Sequence, residues 1–137
     1  MSISLFLEVE VGSKLEAVQR ALDSIQAEYS DGLDKLQGYL PASNTGFGFR
    51  IVEPPEAVVA EGLEAEWRVG LLGLFHFRAS GFECAWEEIC RFIKRYAGCE
   101  SRFVLSFQFE SFYAARSGQD LIFAGPAAPY CRFALFM

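Results

Sequence analysis

The stretch LFHFRASGFECAWEEICRF, Leu74 to Phe92, holds the only histidine of the chain and two of its four cysteines. Imidazole and thiolate are soft metal ligands and also form nucleophile–base pairs, so His76, Cys84 and Cys90 are the first candidates for chemistry. Helical geometry separates the two thiols: six residues on one helix lie about 9 Å apart along the axis and about 120° around it. That exceeds the roughly 7 Å Cα separation that a disulfide spans. It also turns the thiols to different faces, away from a common tetrahedral metal. Zinc sites pair cysteines across about two to four intervening residues, and no two of Cys84, Cys90, Cys99 and Cys131 have that spacing. The expectation is four reduced thiols packed as small hydrophobes, with no metal and no cofactor.

His76 falls in phase with Leu72, Leu74 and Arg78, opposite Phe75 and Phe77. A lone histidine acts as a general base only with a nucleophile or carboxylate in reach. No G-x-S-x-G, H-E-x-x-H or Gly-Lys-Ser/Thr loop supplies one. A cysteine brought to His76 by the fold is the catalytic arrangement left open. The glycines of TGFGF, Thr45 to Phe49, have no following lysine and lead into a strand, unlike a phosphate loop. RFVLSFQFESFY interleaves aromatics as RNA-stacking sheets do, but without surrounding Lys or Arg it is read as core.

The most distinctive charged feature is acidic. Glu53, Glu56, Glu61, Glu64 and Glu66 fall within fourteen residues with no Lys or Arg between them. A basic partner would relieve their repulsion, although solvation and salt also screen it. This segment is the candidate partner-binding surface, with Trp67 or Tyr39 as aromatic anchors.

These residues must be held by elements legible in the pattern. SISLFLEVEV alternates Ile3, Leu5, Leu7, Val9 and Val11 against Ser4, Phe6, Glu8 and Glu10, which predicts a strand with one dry face. Ser13 and Glu16 have capping-box spacing, and Leu15, Val18, Leu22 and Ile25 predict a helix to about Tyr29. Leu33, Leu36 and Leu40 predict a short further helical turn. FGFRIVE predicts a strand stopped by Pro54-Pro55, with a loop or short helix to Gly62. EAEWRVGLLGLFHFR predicts a long strand with Ala65, Trp67, Val69, Leu71, Phe75 and Phe77 on one face, bulged or split at Gly70 and Gly73. Ser80 and Glu83 repeat the capping box before a helix traced by Phe82, Trp86, Ile89, Ile93 and Tyr96. Strands follow at RFVLSFQFE and DLIFAG, and the apolar tail PAAPYCRFALFM is expected to dock.

The whole reads as one α+β domain over residues 1–137 with β-α-β-β-α-β order. That is a ferredoxin-like split βαβ sandwich with an extra C-terminal strand, its helices on one face of a mainly antiparallel sheet. The 137 residues suffice for a core, and 52% apolar and 15% aromatic content excludes disorder. No apolar run approaches the roughly 18 residues needed to span a bilayer, and Glu8 and Glu10 interrupt a signal-peptide pattern at the start. A cytoplasmic, soluble protein is expected. The net charge of −6 disfavours nucleic acid as a partner.

In size, acidity, absence of a leader or catalytic motif, and the Glu53–Glu66 run, the chain resembles the small immunity proteins of bacterial toxin systems, those of contact-dependent inhibition or secreted nuclease effectors. The resemblance implies a non-catalytic cytoplasmic inhibitor that binds one cognate toxin, with carboxylates facing a basic active-site cleft. The alternatives are an enzymatic or small-molecule-binding domain with its site near His76, or a self-assembling structural subunit.

Overall fold

Alternation builds the centre of the molecule. In β1 (Ser2–Glu10), Leu5, Leu7 and Val9 are buried on the inner face while Ser4, Phe6 and Glu8 turn outward. The computed structural model describes residues 2–60, 66–97, 101–107, 111–117 and 120–123, with side chains beyond residue 107 described only at 114–116. After β1 come α1 (Leu15–Ser24), β2 (Glu28–Gly32), β3 (Lys35–Tyr39), β4 (Gly46–Ala57), β5 (Arg68–Arg78), α2 (Phe82–Tyr96), β6 (Phe103–Phe107), β7 (Ser111–Ser117) and β8 (Asp120–Phe123). All strands join one sheet in the order β2-β3-β4-β5-β1-β6-β7-β8, and every described pairing is antiparallel.

The α+β class holds. The inner strands, β4-β5-β1-β6, follow the order of a split βαβ sandwich. The expected plan lacked the β2–β3 hairpin, inserted between α1 and β4, and had one strand fewer beyond β6. Both helices cover the inner face. Val18, Ala21 and Leu22 of α1, and Trp86, Ile89, Phe92 and Ile93 of α2, share one core with Leu7, Phe49, Leu71 and Phe75. Aromatic rings run through it: Phe49 meets Phe75 edge-on at 5.7 Å, Phe75 meets Phe92 at 5.5 Å, and Phe92 stacks on Tyr96 at 5.6 Å.

Several local expectations are corrected. α1 stops at Ser24 rather than near Tyr29, because Gln26 takes a positive φ of 61° and the Ala27 N–H closes back on the Leu22 carbonyl. Leu33, Leu36 and Leu40 do not form a helical turn. Gly32 pairs with Lys35 across a two-residue turn, with Asp34 at φ 58°, so Leu36 points into the core and Leu33 sits exposed at the hairpin tip. Neither serine caps its helix. Ser13 donates to the Glu10 carbonyl or the Ser101 hydroxyl, and Ser80 lies in a 3-10 turn, leaving Lys14 and Gly81 at the N-cap positions.

The prolines interrupt β4 without ending it. Pairing with β5 lapses after Ile51, since proline offers no N–H, and resumes at Glu56 and Ala57; the Glu53–Pro54 bond is cis. The expected loop or helix is therefore strand as far as Ala57. Gly70 is the bulge: Val9 pairs with Leu71 and Glu10 with Val69, so the residue between them has no opposite number. Gly73 stays in register, and a Cβ there would lie 2.5 Å from the Phe49 ring. Trp67 leaves the expected face and packs in a small outer cluster with Val58, Ala60, Val104 and Ala115. Cys84 is exposed and free, but Cys90 is disulfide-bonded, its partner lying outside the described residues, so the expectation of four reduced thiols fails there. Phe109, Ala65, Gly62, Gly98 and the C-terminal tail also lie outside the described residues. Among the described residues, no helix is long and apolar enough to cross a membrane.

Candidate interaction surface

The acidic run begins on β4 with Glu53 and Glu56 and reaches Glu66 just before β5. Residues 58–60, which follow β4, lie on the outer face of the sheet and are pinned by a residue from the middle of β1. Glu8, only 2% exposed, accepts the N–H groups of Val59 at 2.7 Å and Ala60 at 2.9 Å. Burial pushes the Glu8 carboxyl above its ordinary value, and the two backbone N–H groups offset only part of that cost. Sequence alternation places Glu8 on the outer face but carries no sign that a distant segment covers it.

Where described, the acidic run presents its charges to solvent. Glu53, Glu56 and Glu66 are exposed, whereas Glu61 and Glu64 lie outside the described residues. Glu66 acts on Arg102, whose guanidinium is held chiefly by hydrogen bonds to Glu10. The Arg102 guanidinium in turn holds the Glu10 carboxyl below its ordinary value. One end of the acidic run is thus partly neutralised. The other end is not. Glu53 lines a cleft of about 900 Å³ with Glu16 from the first turn of α1 and Asp34 from the β2–β3 turn, where Lys14 is the only cation among the described lining residues. Its lining also includes the apolar Val11, Ile51 and Val52. Glu16 and Asp34 were invisible as site residues, because nothing local links them to Glu53.

The two expected anchors separate. Trp67 is half-buried in the outer cluster. Tyr39 is 59% exposed, but its cross-strand partner Gly46 lies seven residues from Glu53 along β4, about 23 Å at the usual rise of a strand. Two exposed apolar side chains lie at the acidic cleft: Val11 in its lining, 51% exposed, and Leu33, 92% exposed and next in sequence to Asp34.

At the opposite end of the sheet, His76 is exposed on the outer face, with Nδ1 3.0 Å from the Ser4 hydroxyl. It borders a cleft of about 490 Å³ together with Tyr39, Asn44 and Arg78, and neither Cys84 nor Cys90 lines that cleft. Among the described residues no carboxylate hydrogen-bonds to the imidazole, so the ring has a hydroxyl neighbour without an orienting acid.

A second buried carboxylate also escaped sequence reasoning. Glu88 of α2, 1% exposed, accepts the N–H groups of Ala42 and Ser43 at 2.8 and 2.7 Å and the Ser43 hydroxyl at 2.6 Å. Ser43 has one hydroxyl proton, which goes to Glu88, so the Thr45 hydroxyl donates to Ser43. Here a signal did exist. Glu88 lies three residues after Ala85 and four before Phe92, inside the apolar stripe of its helix.

Compared with family models, curated protein sequences and solved structures, the chain matches none. Its functional reading therefore rests on geometry and charge.

Proposed function

We propose that this chain is a non-catalytic inhibitor of immunity type, which binds and neutralises one basic, nuclease-like protein toxin in the cytoplasm. The observation that carries the reading is the acidic cleft. Glu16, Asp34 and Glu53 converge from three separate elements beside the apolar Val11, Ile51 and Val52, with Lys14 the only cation among the described lining residues, and Glu56 on β4 and Glu66 before β5 add exposed negative charge. Such a field speeds encounter with a basic surface and disfavours acidic ones. Leu33 supplies an exposed apolar contact beside it. Tethering residues 58–60 through Glu8 lowers the ordering cost of binding, since less freedom is lost on contact.

The test is a capture experiment on source cells with the wild-type chain and a Glu16→Lys, Asp34→Lys, Glu53→Lys variant. The expected partner is basic, arrests growth when expressed alone, is silenced by the wild-type chain, and binds the variant at least about a hundredfold more weakly, mainly through a slower on-rate at low salt. Equal protection by the triple variant would falsify the assignment of this surface. Cys90 is disulfide-bonded, and disulfides in a reducing cytoplasm are rare and mostly transient. Thiol titration of protein isolated without reductant decides that part of the proposal: four reactive thiols per denatured chain support a cytoplasmic protein, and fewer oppose it.

A further inference from the structure

The cleft beside His76 lies between the β3–β4 turn and the turn that follows β5, and it is unlike the acidic cleft in charge. Ser2, Tyr39, Asn44, His76, Arg78 and Ser80 line its volume of about 490 Å³, and all six are exposed. The chain has 18 acidic against 12 basic residues, yet no carboxylate stands among the described lining residues. Among the described residues, the side chains of Tyr39, Asn44 and Arg78 make no hydrogen bond or ion pair. The volume falls within the roughly 300–1,000 Å³ of small-molecule sites.

Strand register sets these groups in order. Tyr39 pairs with Gly46, Gly46 with His76 and His76 with Ser4, so the four share one face in a row across β3, β4, β5 and β1. Gly46 puts no side chain between the Tyr39 ring and the imidazole, which stand two strand spacings apart, about 10 Å. Arg78 follows His76 on the same face, about 7 Å along β5, and pairs with Ser2. The wall that carries Asn44 is fixed in advance. Ala42 and Ser43 before it are bonded to the buried Glu88, and Thr45 after it is bonded to Ser43. Asn44 itself takes a φ of 57°, left-handed backbone that a short polar residue tolerates. A buried carboxylate is costly to keep, and this one holds the wall of a cleft in place before anything binds.

We propose that this cleft binds a phosphate monoester that carries a planar ring, the chemistry of a mononucleotide. The phosphate lies against Arg78 and His76 and accepts charge-assisted hydrogen bonds from the guanidinium. Its three terminal oxygens suit a wall that also offers the Ser2 and Ser80 hydroxyls. The Ser4 hydroxyl, 3.0 Å from Nδ1 of His76, donates to that nitrogen in the bound state, which leaves the ring proton on Nε2 for the ligand. The planar ring crosses Gly46 and stacks on Tyr39, 59% exposed. The Asn44 amide, donor and acceptor at once, meets its polar edge. The site lies at the opposite end of the sheet from the acidic cleft and does not depend on the inhibitor reading.

Calorimetric titration of the full chain with adenosine monophosphate, phenyl phosphate, adenosine and ribose 5-phosphate tests this directly. The tighter of the first two is expected to bind at least about tenfold better than adenosine, which lacks the phosphate, and than ribose 5-phosphate, which lacks the planar ring. Which of the two is tighter separates a nucleotide from a simple aryl phosphate, and either order supports the site. Arg78→Gln is expected to bring that ligand down to the level of adenosine, and Tyr39→Ala to the level of ribose 5-phosphate. Both side chains are exposed, so the melting temperature is expected to hold. Adenosine binding as tightly as both phosphate esters, no ester binding at millimolar concentration, or wild-type affinity in either folded variant overturns the proposal. If one variant does not fold, the other decides alone.

Discussion

Glu8 and Glu88 use the same device on opposite faces of the sheet, and they use it unequally. Each carboxylate is buried and each captures two consecutive backbone N–H groups from a segment more than forty residues away in sequence. Glu88 adds the Ser43 hydroxyl and has the Arg91 guanidinium 4.0 Å away. Glu8 has neither a hydroxyl nor a cation among its described contacts, and desolvation dominates its titration. The lesson is that the turn joining β3 to β4 is fastened by a well-compensated acid, whereas the segment after β4 is fastened by a carboxylate that burial destabilises. Residues 58–60, which follow the acidic end of β4, are thus held by the weaker of the two fasteners.

The largest expected effect is that of Glu88→Ala. It strands two N–H groups and a hydroxyl beside the core and should lower unfolding free energy by about 3 kcal/mol in chemical denaturation. Glu8→Ala should cost less, about 1–2 kcal/mol, because the lost hydrogen bonds are partly offset by removing a desolvated charge. Hydrogen exchange then separates the two variants. Faster exchange at Val59 and Ala60 with unchanged exchange at Ala42 and Ser43 is expected for the Glu8 variant. A Glu8 cost larger than that of Glu88 would reverse the ranking of the fasteners.

The smallest effect is a slope with pH. Because the folded pKa of Glu8 is raised above 4.5, the native state binds more protons than the unfolded state from about that pH upward to the raised value. Stability therefore declines as pH rises through this window, and Glu8→Gln should flatten that part of the urea-midpoint profile. Glu10 has the opposite sign. Arg102 lowers its pKa, so its contribution is present above 4.5 and disappears as pH falls toward the folded value. A decline that persists unchanged in Glu8→Gln would mean that another group carries it.

Much of the framework was legible in the residues. Period-two alternation located β1, β5 and β6, and helical spacing located α1 and α2, because one-sided burial leaves its period in the order of side chains. The β2–β3 hairpin was not legible. Three leucines at helical spacing imitate a helix, and the turn that overrides them depends on Asp34 taking a positive φ. β4 was read short because proline removes a donor without preventing the chain from returning to its ladder. Of the candidate surface, the order of residues determined the exposed acids Glu53, Glu56 and Glu66. Tertiary structure alone decided that Glu16 and Asp34 join Glu53, that Trp67 packs into the outer cluster while Leu33 remains in water, and that Lys35 faces Arg50. It also decided what became of LFHFRASGFECAWEEICRF: His76 lies exposed beside Ser4, and Cys84 stays apart. Local pattern records which face of an element is buried. Which distant element covers that face is set by how strands order within the sheet, and no short stretch of sequence contains that.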